Sequence, residues 1–508
     1  MTAILSEKIL TTPDLVALLA HHASPRDFAR LAQTSRNIFA ETINYAWREV
    51  RGIHNLLKLI PGTECSHTGK YTEIWSLSIP EQESASLARF NFYAPFVTIL
   101  YILPTPYATY RFSDWKRLAD YGRLAVLLPK LRFLEYATDR YSDDASIPWI
   151  TPLLSPSILT IRTHSNLWRV PSNCSFRHAV TLIKGLCDRN ASLTDLSFFP
   201  IGTYLAGDEA ANAFEDDIDL IGSHPLALGS LDNEGEALPN RAASFHDNLR
   251  SLRSLTSLTT TIFILHPTLL EAFASLPSLK ELVLYCGYDT MLPAHEMSVV
   301  HPETTFFSLE RLELCSADIE SVRRIWKLHS LVNRLRELVF TTPLNAFAFD
   351  EFGDVLPTFK DFVSQLHIRS PGIQSLAIDF ASKQNPRIYV VPVSILQQLT
   401  LLPLHTLEMR HGSLQYIPEA CQVLETCGTL RNLILENQRV SYDDLISFSM
   451  IPGLECLHTE VRWMDKNGLE KYKSTRPLRK SSVRFLHCSN SITVRSNVSK
   501  EDVMGIIS

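Results

Sequence analysis

The apolar positions of this chain follow one recurring pattern. Two residues separate a first aliphatic position from a second, and one residue separates the second from a third apolar position, as in Leu279, Leu282 and Leu284. The clearest series is Leu279/Leu282/Leu284, Leu309/Leu312/Leu314, Leu335/Leu338/Phe340, Ile373/Leu376/Ile378, Leu404/Leu407/Met409, Leu430/Leu433/Leu435 and Leu454/Leu457. Alternation at the last two positions predicts a short strand with one buried face.

Weaker copies of the pattern precede and follow this series. They are Ile74/Leu77/Ile79, Val97/Leu100/Ile102, Leu131/Phe133-Leu134/Tyr136, Ile158–Ile161, Leu193/Leu196/Phe198, Leu255/Leu258/Thr260 and Val483/Leu486. Copies in the clear series start roughly 24 to 38 residues apart, a spacing that suits one strand and one return helix. Chance or a helical origin can explain a single Leu-x-x-Leu, but seven successive copies favour a repeat array.

Helical patterns fill the intervals between these predicted strands. They are Leu269–Leu276, Ile319–Lys327, Phe359–Leu366, Val393–Leu401, Ala420–Cys427 and Asp443–Phe448. Several intervals end at a proline just before the next strand, as at Pro277, Pro403 and Pro452, where proline stops a helix and favours extended backbone. The pattern resembles leucine-rich repeats, which implies an α/β fold: a curved solenoid of parallel strands and return helices.

Before the repeats, the segment Ile9–Trp47 has the pattern of three short amphipathic helices. Pro13-Asp14 suits a helix start, and Ser24-Pro25 with Asp27 predicts a capped second start. Ile38, Phe39, Ile43 and Trp47 predict the apolar side of a third helix. So small a unit buries little surface by itself and is expected to lean on a neighbouring domain or a partner.

This segment resembles an F-box. The matching positions are Pro13, Asp14, Leu15, Leu18, Leu19, Asp27-Phe28, Leu31-Ala32, Ser35-Arg36 and Phe39, followed by Tyr45-Ala46-Trp47-Arg48-Glu49-Val50. Thr12 stands where the family has leucine before the proline, and Thr34-Ser35 stand for its usual Val-Cys. Arg89-Phe90, Tyr93-Ala94 and Val97 then resemble the transition into the first repeats of fungal, basidiomycete-type F-box proteins. The N-terminal domain is therefore expected to be a small three-helix F-box-like unit.

Composition places the chain among ordinary folded proteins. It has 508 residues, 45% hydrophobic and 20% charged, with a formal net charge of −6. Such a length exceeds one compact core, so several domains or an extended array are expected. Nothing indicates a nucleic-acid or membrane partner. Nine cysteines without C-x-x-C spacing predict a reducing, intracellular location, cytoplasmic or nuclear.

One segment interrupts the rhythm. Residues 202–248 are rich in carboxylates, namely Asp208, Glu209, Glu215, Asp216, Asp217 and Asp219. A metal site is conceivable, but the glycine-punctuated spacing of a calcium loop is absent, and a solvated insertion is the preferred interpretation. The last residues, Lys500–Ile507, predict a short capping helix.

Catalytic patterns are missing from the sequence. It contains no phosphate-binding glycine loop, no H-E-x-x-H helix and no G-x-S-x-G elbow. The neighbouring His21-His22 cannot share a helix face and are expected at the surface, while Trp115, Trp149 and Trp168 are expected in the core or at its rim. We therefore expect no enzyme activity, no catalytic residue, no metal and no cofactor.

The F-box resemblance implies a substrate-recognition adaptor. Residues 1–60 would form the F-box-like domain with a linking helix, and residues 61–508 the repeat solenoid. The helices would bind a Skp-type adaptor, and through it a cullin-RING ubiquitin ligase, while the repeats bind a protein target. The residues predicted to contact the adaptor are Pro13, Leu15, Leu18, Leu19, Phe28 and Leu31. The alternative is a repeat scaffold without a ligase role.

Strand alternation also predicts which side chains face the target. They flank the second aliphatic position of each repeat and point away from the core. The predicted target-binding residues are Glu281, Tyr285, Arg311, Glu313, Glu337, Asp379, Glu408, Arg410, Glu436 and Glu460. Acids outnumber bases, so the sequence predicts a mildly acidic concave stripe suited to a basic or mixed-charge segment. An ordinary solvated face is the alternative.

Overall fold

The structure is a computed structural model. It describes residues 12–20, 22–68, 73–80, 87–105, 108–112, 115–136, 150–163, 174–189, 192–201, 247–265, 267–286, 306–317, 319–341, 357–380, 389–461 and 485–488. Contacts divide the chain into two compact units, Met1–Ile264 and Leu265–Ser508.

The first unit contains short helices and strands in alternation. Its α-helices are α1 (Pro13–Ala20), α2 (Pro25–Leu31), α3 (Arg36–Ala46), α4 (His54–Leu57), α5 (Ala88–Tyr93), α6 (Trp115–Leu124) and α7 (Phe176–Asp188). Its strands are β1 (Glu49–Arg51), β2 (Glu64–Thr68), β3 (Glu73–Ser78), β4 (Ile99–Tyr101), β5 (Ala108–Phe112), β6 (Phe133–Tyr136), β7 (Thr160–Thr163), β8 (Cys174–Ser175), β9 (Asp195–Ser197), β10 (Pro200–Ile201) and β11 (Ser257–Thr261).

The second unit alternates more regularly. Its α-helices are α8 (Pro267–Ala274), α9 (Ile319–Lys327), α10 (His329–Val332), α11 (Pro357–Arg369), α12 (Val393–Leu399), α13 (Ile417–Glu425) and α14 (Tyr442–Ser449). Its strands are β12 (Glu281–Tyr285), β13 (Arg311–Cys315), β14 (Glu337–Thr341), β15 (Ser375–Asp379), β16 (Tyr389–Val391), β17 (Thr406–Arg410), β18 (Gly412–Leu414), β19 (Asn432–Val440), β20 (Cys456–Val461) and β21 (Phe485–Cys488).

The parallel sheet of the second unit is in register. Its strand order is β12-β13-β14-β15-β17-β19-β20-β21, and the second aliphatic position of each repeat pairs with the same position of the next. That row is Leu282, Leu312, Leu338, Leu376, Leu407, Leu433, Leu457 and Leu486. Leu282 through Leu457 of this row are at most 1% exposed. The predicted α/β fold of leucine-rich repeats, with parallel strands and return helices, is confirmed.

Return helices complete the core of each repeat. Along α12, Ile395, Leu396 and Leu399 are buried, and the helices α11 to α14 pack each against the next. Each apolar helix face thus covers aliphatic rows that would otherwise meet water. Neither a strand nor a helix buries its apolar side alone, so the repeats stabilise one another.

The first unit holds a second series of parallel strands. Their order is β1-β4-β6-β7-β9-β11, with Leu100 paired to Leu134 and Ile161 paired to Leu196. These aliphatic residues are fully buried. The weaker copies of the pattern from Val97 onward therefore form the same kind of ladder as the clear series.

Two details of the sequence interpretation need correction. Ile74/Leu77/Ile79 fits the repeat spacing, but β3 belongs to a separate sheet of order β2-β3-β5 and pairs antiparallel with β2. The first strand of the repeat ladder is instead β1, where Val50 pairs with Leu100. This strand lies within residues 1–60 and includes part of the Arg48-Glu49-Val50 ending of the F-box-like match.

The three predicted N-terminal helices are present, and α2 and α3 each begin with a side-chain capping contact. The Ser24 hydroxyl accepts from the Asp27 amide while the Asp27 carboxylate accepts from the Ser24 amide, which makes a capping box on α2. Ser35, a departure from the family pattern, caps α3 by accepting from the Ile38 amide at 3.2 Å. Val16, Phe28, Ile38 and Ile43 form the small buried core.

Aromatic contacts join these helices to α5. Trp47 packs on Tyr93 with ring centroids 4.5 Å apart, and Phe39 packs on Phe92 at 6.1 Å. The two segments that resemble fungal F-box proteins are therefore in contact in the first unit. The linking helix is short, since α4 spans only His54–Leu57 before the turn at Gly62.

Some predictions fall outside the described residues. They are the acidic stretch 202–246, the capping helix Lys500–Ile507, and Val483, His21, Trp149 and Trp168. For Trp115 and Glu460 the structure describes the backbone, in α6 and β20, but not the side chain.

Candidate functional site

The second unit presents one open face of its parallel sheet. Along β12, β13 and β14 the residues between the buried leucines are half-buried, as the alternation of a strand requires. Val283, Glu313 and Val339 form one row across these strands, and Glu281, Arg311 and Glu337 form another. In-register pairing thus brings side chains from successive repeats together.

An ion cluster occupies this face at Arg311. Its guanidinium lies 2.9 Å from the Glu337 carboxylate, 3.1 Å from that of Glu313 and 3.2 Å from that of Glu281. The Glu281 contact is an ion pair without hydrogen-bond geometry, because Arg311 Nε has no hydrogen-bond partner. One cation on β13 therefore forms ion pairs with three carboxylates on three neighbouring strands.

A second cluster surrounds Arg410 in β17, three strands along the sheet from β13. Arg410 Nε contacts the carboxylate of Glu408 and, at 3.5 Å, that of Glu436. Asp379 lies beside this group, and its carboxylate contacts His411 Nδ1 at 2.8 Å. Carboxylates outnumber guanidinium groups here too, so the face keeps an acidic excess.

Both arginines stay charged in this setting. For Arg311, partial burial opposes the charge, but the hydrogen bond to Glu313 and the charges of Glu337 and Glu281 outweigh it and raise the pKa of Arg311. For Arg410 the same opposition holds, and Glu408 and Glu436 raise the pKa of Arg410. Both guanidinium groups therefore keep their charge across the neutral pH range.

These clusters contain most of the residues predicted to face a target. Glu281, Arg311, Glu313 and Glu337 meet in one cluster. Asp379, Glu408, Arg410 and Glu436 meet in the other. Tyr285 is half-buried at the end of β12, two positions beyond Val283. The backbone of Glu460 pairs with Arg439 in the β19–β20 ladder, which is shifted there by an irregularity. The sequence indicated the face but not the grouping around two arginines.

The N-terminal helices present a different surface, which is apolar. On α1, Leu15 is 39% exposed, Leu18 59% and Leu19 38%, whereas Val16 is 1% exposed. Pro13 is also exposed, and Leu31 on α2 is half-buried. Exposed leucines side by side on one short helix are a common mark of a protein contact.

Phe28 lies apart from this surface. It is 2% exposed and stacks on Tyr45 with ring centroids 5.2 Å apart. Its side chain packs inside the helical unit, so the solvent-exposed part of the predicted adaptor contact consists of Pro13, Leu15, Leu18 and Leu19, with Leu31 at the edge.

Other chemistry is sparse in the described part of the chain. There, no group of three or more His, Cys, Asp or Glu residues is arranged to hold a metal ion. None of the seven cysteines with described side chains forms a disulfide, and burial raises the pKa of the Cys421 thiol. Among the described helices, none combines the length and apolar character needed to cross a membrane.

Comparison with known proteins gives fold-level likeness only. No family model and no curated protein matches this sequence. An internalin, InlF of Listeria monocytogenes, is similar at 14% identity over 76% of this chain and 82% of its own, with a TM-score of 0.31. LegL7, a leucine-rich repeat-containing protein of Legionella pneumophila, is similar at 13% identity over 66% of this chain and 91% of its own, with a TM-score of 0.33.

A structure of TLR13 in complex with ssRNA13 is similar at 12% identity. The likeness covers 74% of this chain and 48% of the TLR13 chain, with a TM-score of 0.36. TM-scores in this range mean that the chains do not superpose over their whole length. The assignment to leucine-rich repeats therefore rests on the aligned leucine rows and the parallel register.

Proposed function

We propose that this chain is a protein-interaction protein whose second unit binds a polypeptide on the open face of its sheet. The supporting observation is the pair of ion clusters around Arg311 and Arg410. Ion pairs between neighbouring strands hold these side chains in place before any partner arrives, which lowers the entropic cost of binding. Their carboxylate excess favours a basic or mixed-charge segment.

A paired set of variants tests this proposal. Glu313→Gln, Glu337→Gln and Glu408→Gln together remove three charges from the face. Glu310→Gln, Glu419→Gln and Glu425→Gln remove three exposed charges elsewhere in the same unit. Full-length protein is used for affinity capture with mass spectrometry. The wild type and the control triple variant should capture proteins that the Glu313/Glu337/Glu408 triple variant no longer captures. Equal capture by the two triple variants contradicts the proposal.

A second, finer function is favoured by the exposed leucines of α1. In this proposal the chain is the substrate-recognition adaptor of a Skp–cullin–F-box type ubiquitin ligase. The leucines would dock in an apolar groove of a Skp-type adaptor. The bound target would then be held near a ubiquitin-conjugating enzyme at high effective concentration.

Pull-down with a purified Skp-type adaptor tests the ligase role. The full-length chain should retain the adaptor, and Leu15→Asp with Leu18→Asp should abolish retention, because each aspartate puts a charge into the apolar contact. Ile368→Asp with Leu401→Asp is the matched control, since these residues are 60% and 57% exposed in the second unit. No retention by the wild type, or equal loss in both double variants, would leave a repeat protein without a ligase role.

A further inference from the structure

An open groove of about 540 Å³ lies in the first unit at the N-terminal edge of strands β4, β6 and β7. Ile99 and Phe133, the first residues of β4 and β6, are part of its lining, and Leu159 precedes β7. None of its described lining residues belongs to the two ion clusters, to helix α1 or to the sequence-predicted sites.

Three cations line this groove among the described residues. They are Arg48, Lys130 and Arg132, all exposed, and no described carboxylate lines the groove beside them. In the described part of the chain none of the three side chains has an ion-pair partner. Two other arginines of the same unit have carboxylate partners: Arg51 contacts Glu49 at 2.7 Å and Arg162 contacts Asp195 at 2.6 Å.

The amides at the starts of the three strands already have partners. The amide of Ile99 donates to the Arg48 carbonyl at 3.0 Å, that of Phe133 to the Thr98 carbonyl at 3.0 Å, and that of Thr160 to the Arg132 carbonyl at 3.0 Å. An anion in the groove would therefore be bound by the three cationic side chains. The apolar wall adds a second requirement, since Leu159 is 36% exposed and Ile99 and Phe133 are half-buried.

Charge and shape together identify the ligand class. Three clustered cations without counter-charges repel one another, and an incoming anion relieves that repulsion. The chain as a whole carries −6, which disfavours long polyanions such as nucleic acids. A short polypeptide segment can place carboxylates or phosphates on the cations and an apolar side chain on the wall. We infer that this groove binds a polypeptide segment that carries acidic or phosphorylated residues next to an apolar residue.

Fluorescence anisotropy with full-length protein tests the inference. The probe is a labelled short peptide of glutamates around one leucine. A second probe has phosphoserines in place of glutamates, and a third has lysines. We expect the two anionic probes to bind and the lysine probe not to bind. Lys130→Glu with Arg132→Glu should weaken anionic binding by roughly tenfold or more, since attraction becomes repulsion at two contacts. Lys184→Glu with Arg253→Glu, the same charge change outside the lining, should leave binding within about twofold of wild type.

One further variant and a comparison of the probes complete the experiment. Arg48→Gln removes one charge without repulsion and should weaken binding by about threefold, so a folding defect of the double variant would not hide the effect. The difference between glutamate and phosphoserine probes tells which anion the groove prefers. Three results overturn the inference: no binding of either anionic probe, equal weakening by both double variants, or groove-dependent binding of a single-stranded RNA or anionic vesicles with none of the peptides.

Discussion

Gly52 connects strand β1 to helix α4 with a φ of +83°. A Cβ added here would lie 2.5 Å from Cε1 of His54. That ring cannot move aside easily, because His54 is 5% exposed, stacks on Trp75 with centroids 3.9 Å apart and contacts the Tyr110 hydroxyl at 2.6 Å. Glycine is required at this turn by both the backbone angle and the packing.

Gly52→Ala should therefore destabilise the first unit. We expect a loss of about 2 kcal/mol in the free energy of unfolding, from the left-handed backbone and the displaced ring. Urea denaturation followed by tryptophan fluorescence measures the loss. Gly428→Ala is the control, since nothing lies within 4 Å of its added Cβ. A loss below about 0.5 kcal/mol at Gly52 would mean that the turn tolerates a side chain.

Arg311 is the residue on which the first ion cluster depends. Arg311→Met keeps most of the side-chain volume and leaves Glu281, Glu313 and Glu337 without their shared cation. The free energy of unfolding of the second unit should fall by about 1 kcal/mol. This value is modest because the guanidinium is partly exposed and its charge is screened by solvent. The loss should grow at low ionic strength, where repulsion between the three carboxylates reaches further.

Chemical denaturation of the Arg311→Met variant at low and high salt measures this dependence. Lys360→Met, an exposed position on α11, is the matched control. If both variants respond to salt in the same way, the cluster contributes nothing specific to the fold.

At the scale of elements, helix α2 begins with a capping box in which the carboxyl group of Asp27 can titrate. Hydrogen bonds from the Ser24 side chain and backbone lower the pKa of Asp27 below its ordinary 3.8, with smaller help from Arg30 and Arg26. The pKa of Asp27 is lower in the folded state than in the unfolded state. Its contribution to folding stability is therefore complete above pH 3.8 and is lost as the pH falls through the folded pKa.

Ser24→Ala should raise the pKa of Asp27 toward its ordinary value. Carbon-13 NMR of protein labelled at aspartate carboxyls follows the titration, and Asp27→Asn identifies the signal. An unchanged Asp27 titration in the Ser24→Ala variant would show that the capping box does not set this pKa.

The elements also show where pattern reasoning succeeds and where it stops. Alternation predicted β12 to β15 and the return helix Ile319–Lys327, because burial on one side imposes those periods. The same pattern misassigned Ile74/Leu77/Ile79. Its spacing fixes which side chains share a face but not which strand becomes the neighbour, and β3 found its partners in β2 and β5.

At the scale of the whole molecule, a destabilising substitution in one repeat of the second unit should affect mainly the neighbouring repeats. Leu312→Ala leaves a cavity in a fully buried row, at a cost of about 2 to 5 kcal/mol. Since each repeat contacts its neighbours, we expect amide exchange to rise most in Glu281–Tyr285, Arg311–Cys315 and Glu337–Thr341. The rise should fade toward Cys456–Val461.

Hydrogen–deuterium exchange with mass spectrometry on the full-length protein measures this gradient. The control is Val339→Ala, a smaller truncation at a half-buried position of the open face. A uniform rise across the second unit would mean that its repeats unfold as one cooperative block.

The sequence by itself determined the repeat unit: the aliphatic positions that are buried, the strand and return helix that carry them, and the residues that alternate onto the open face. These follow from local periodicity, which burial enforces within each repeat. Only the tertiary structure decided which strands are neighbours, how Arg311 and Arg410 gather carboxylates, and how Arg48, Lys130 and Arg132 come to line one groove. Such groupings join residues far apart in the chain through strand register, and no local pattern encodes that register.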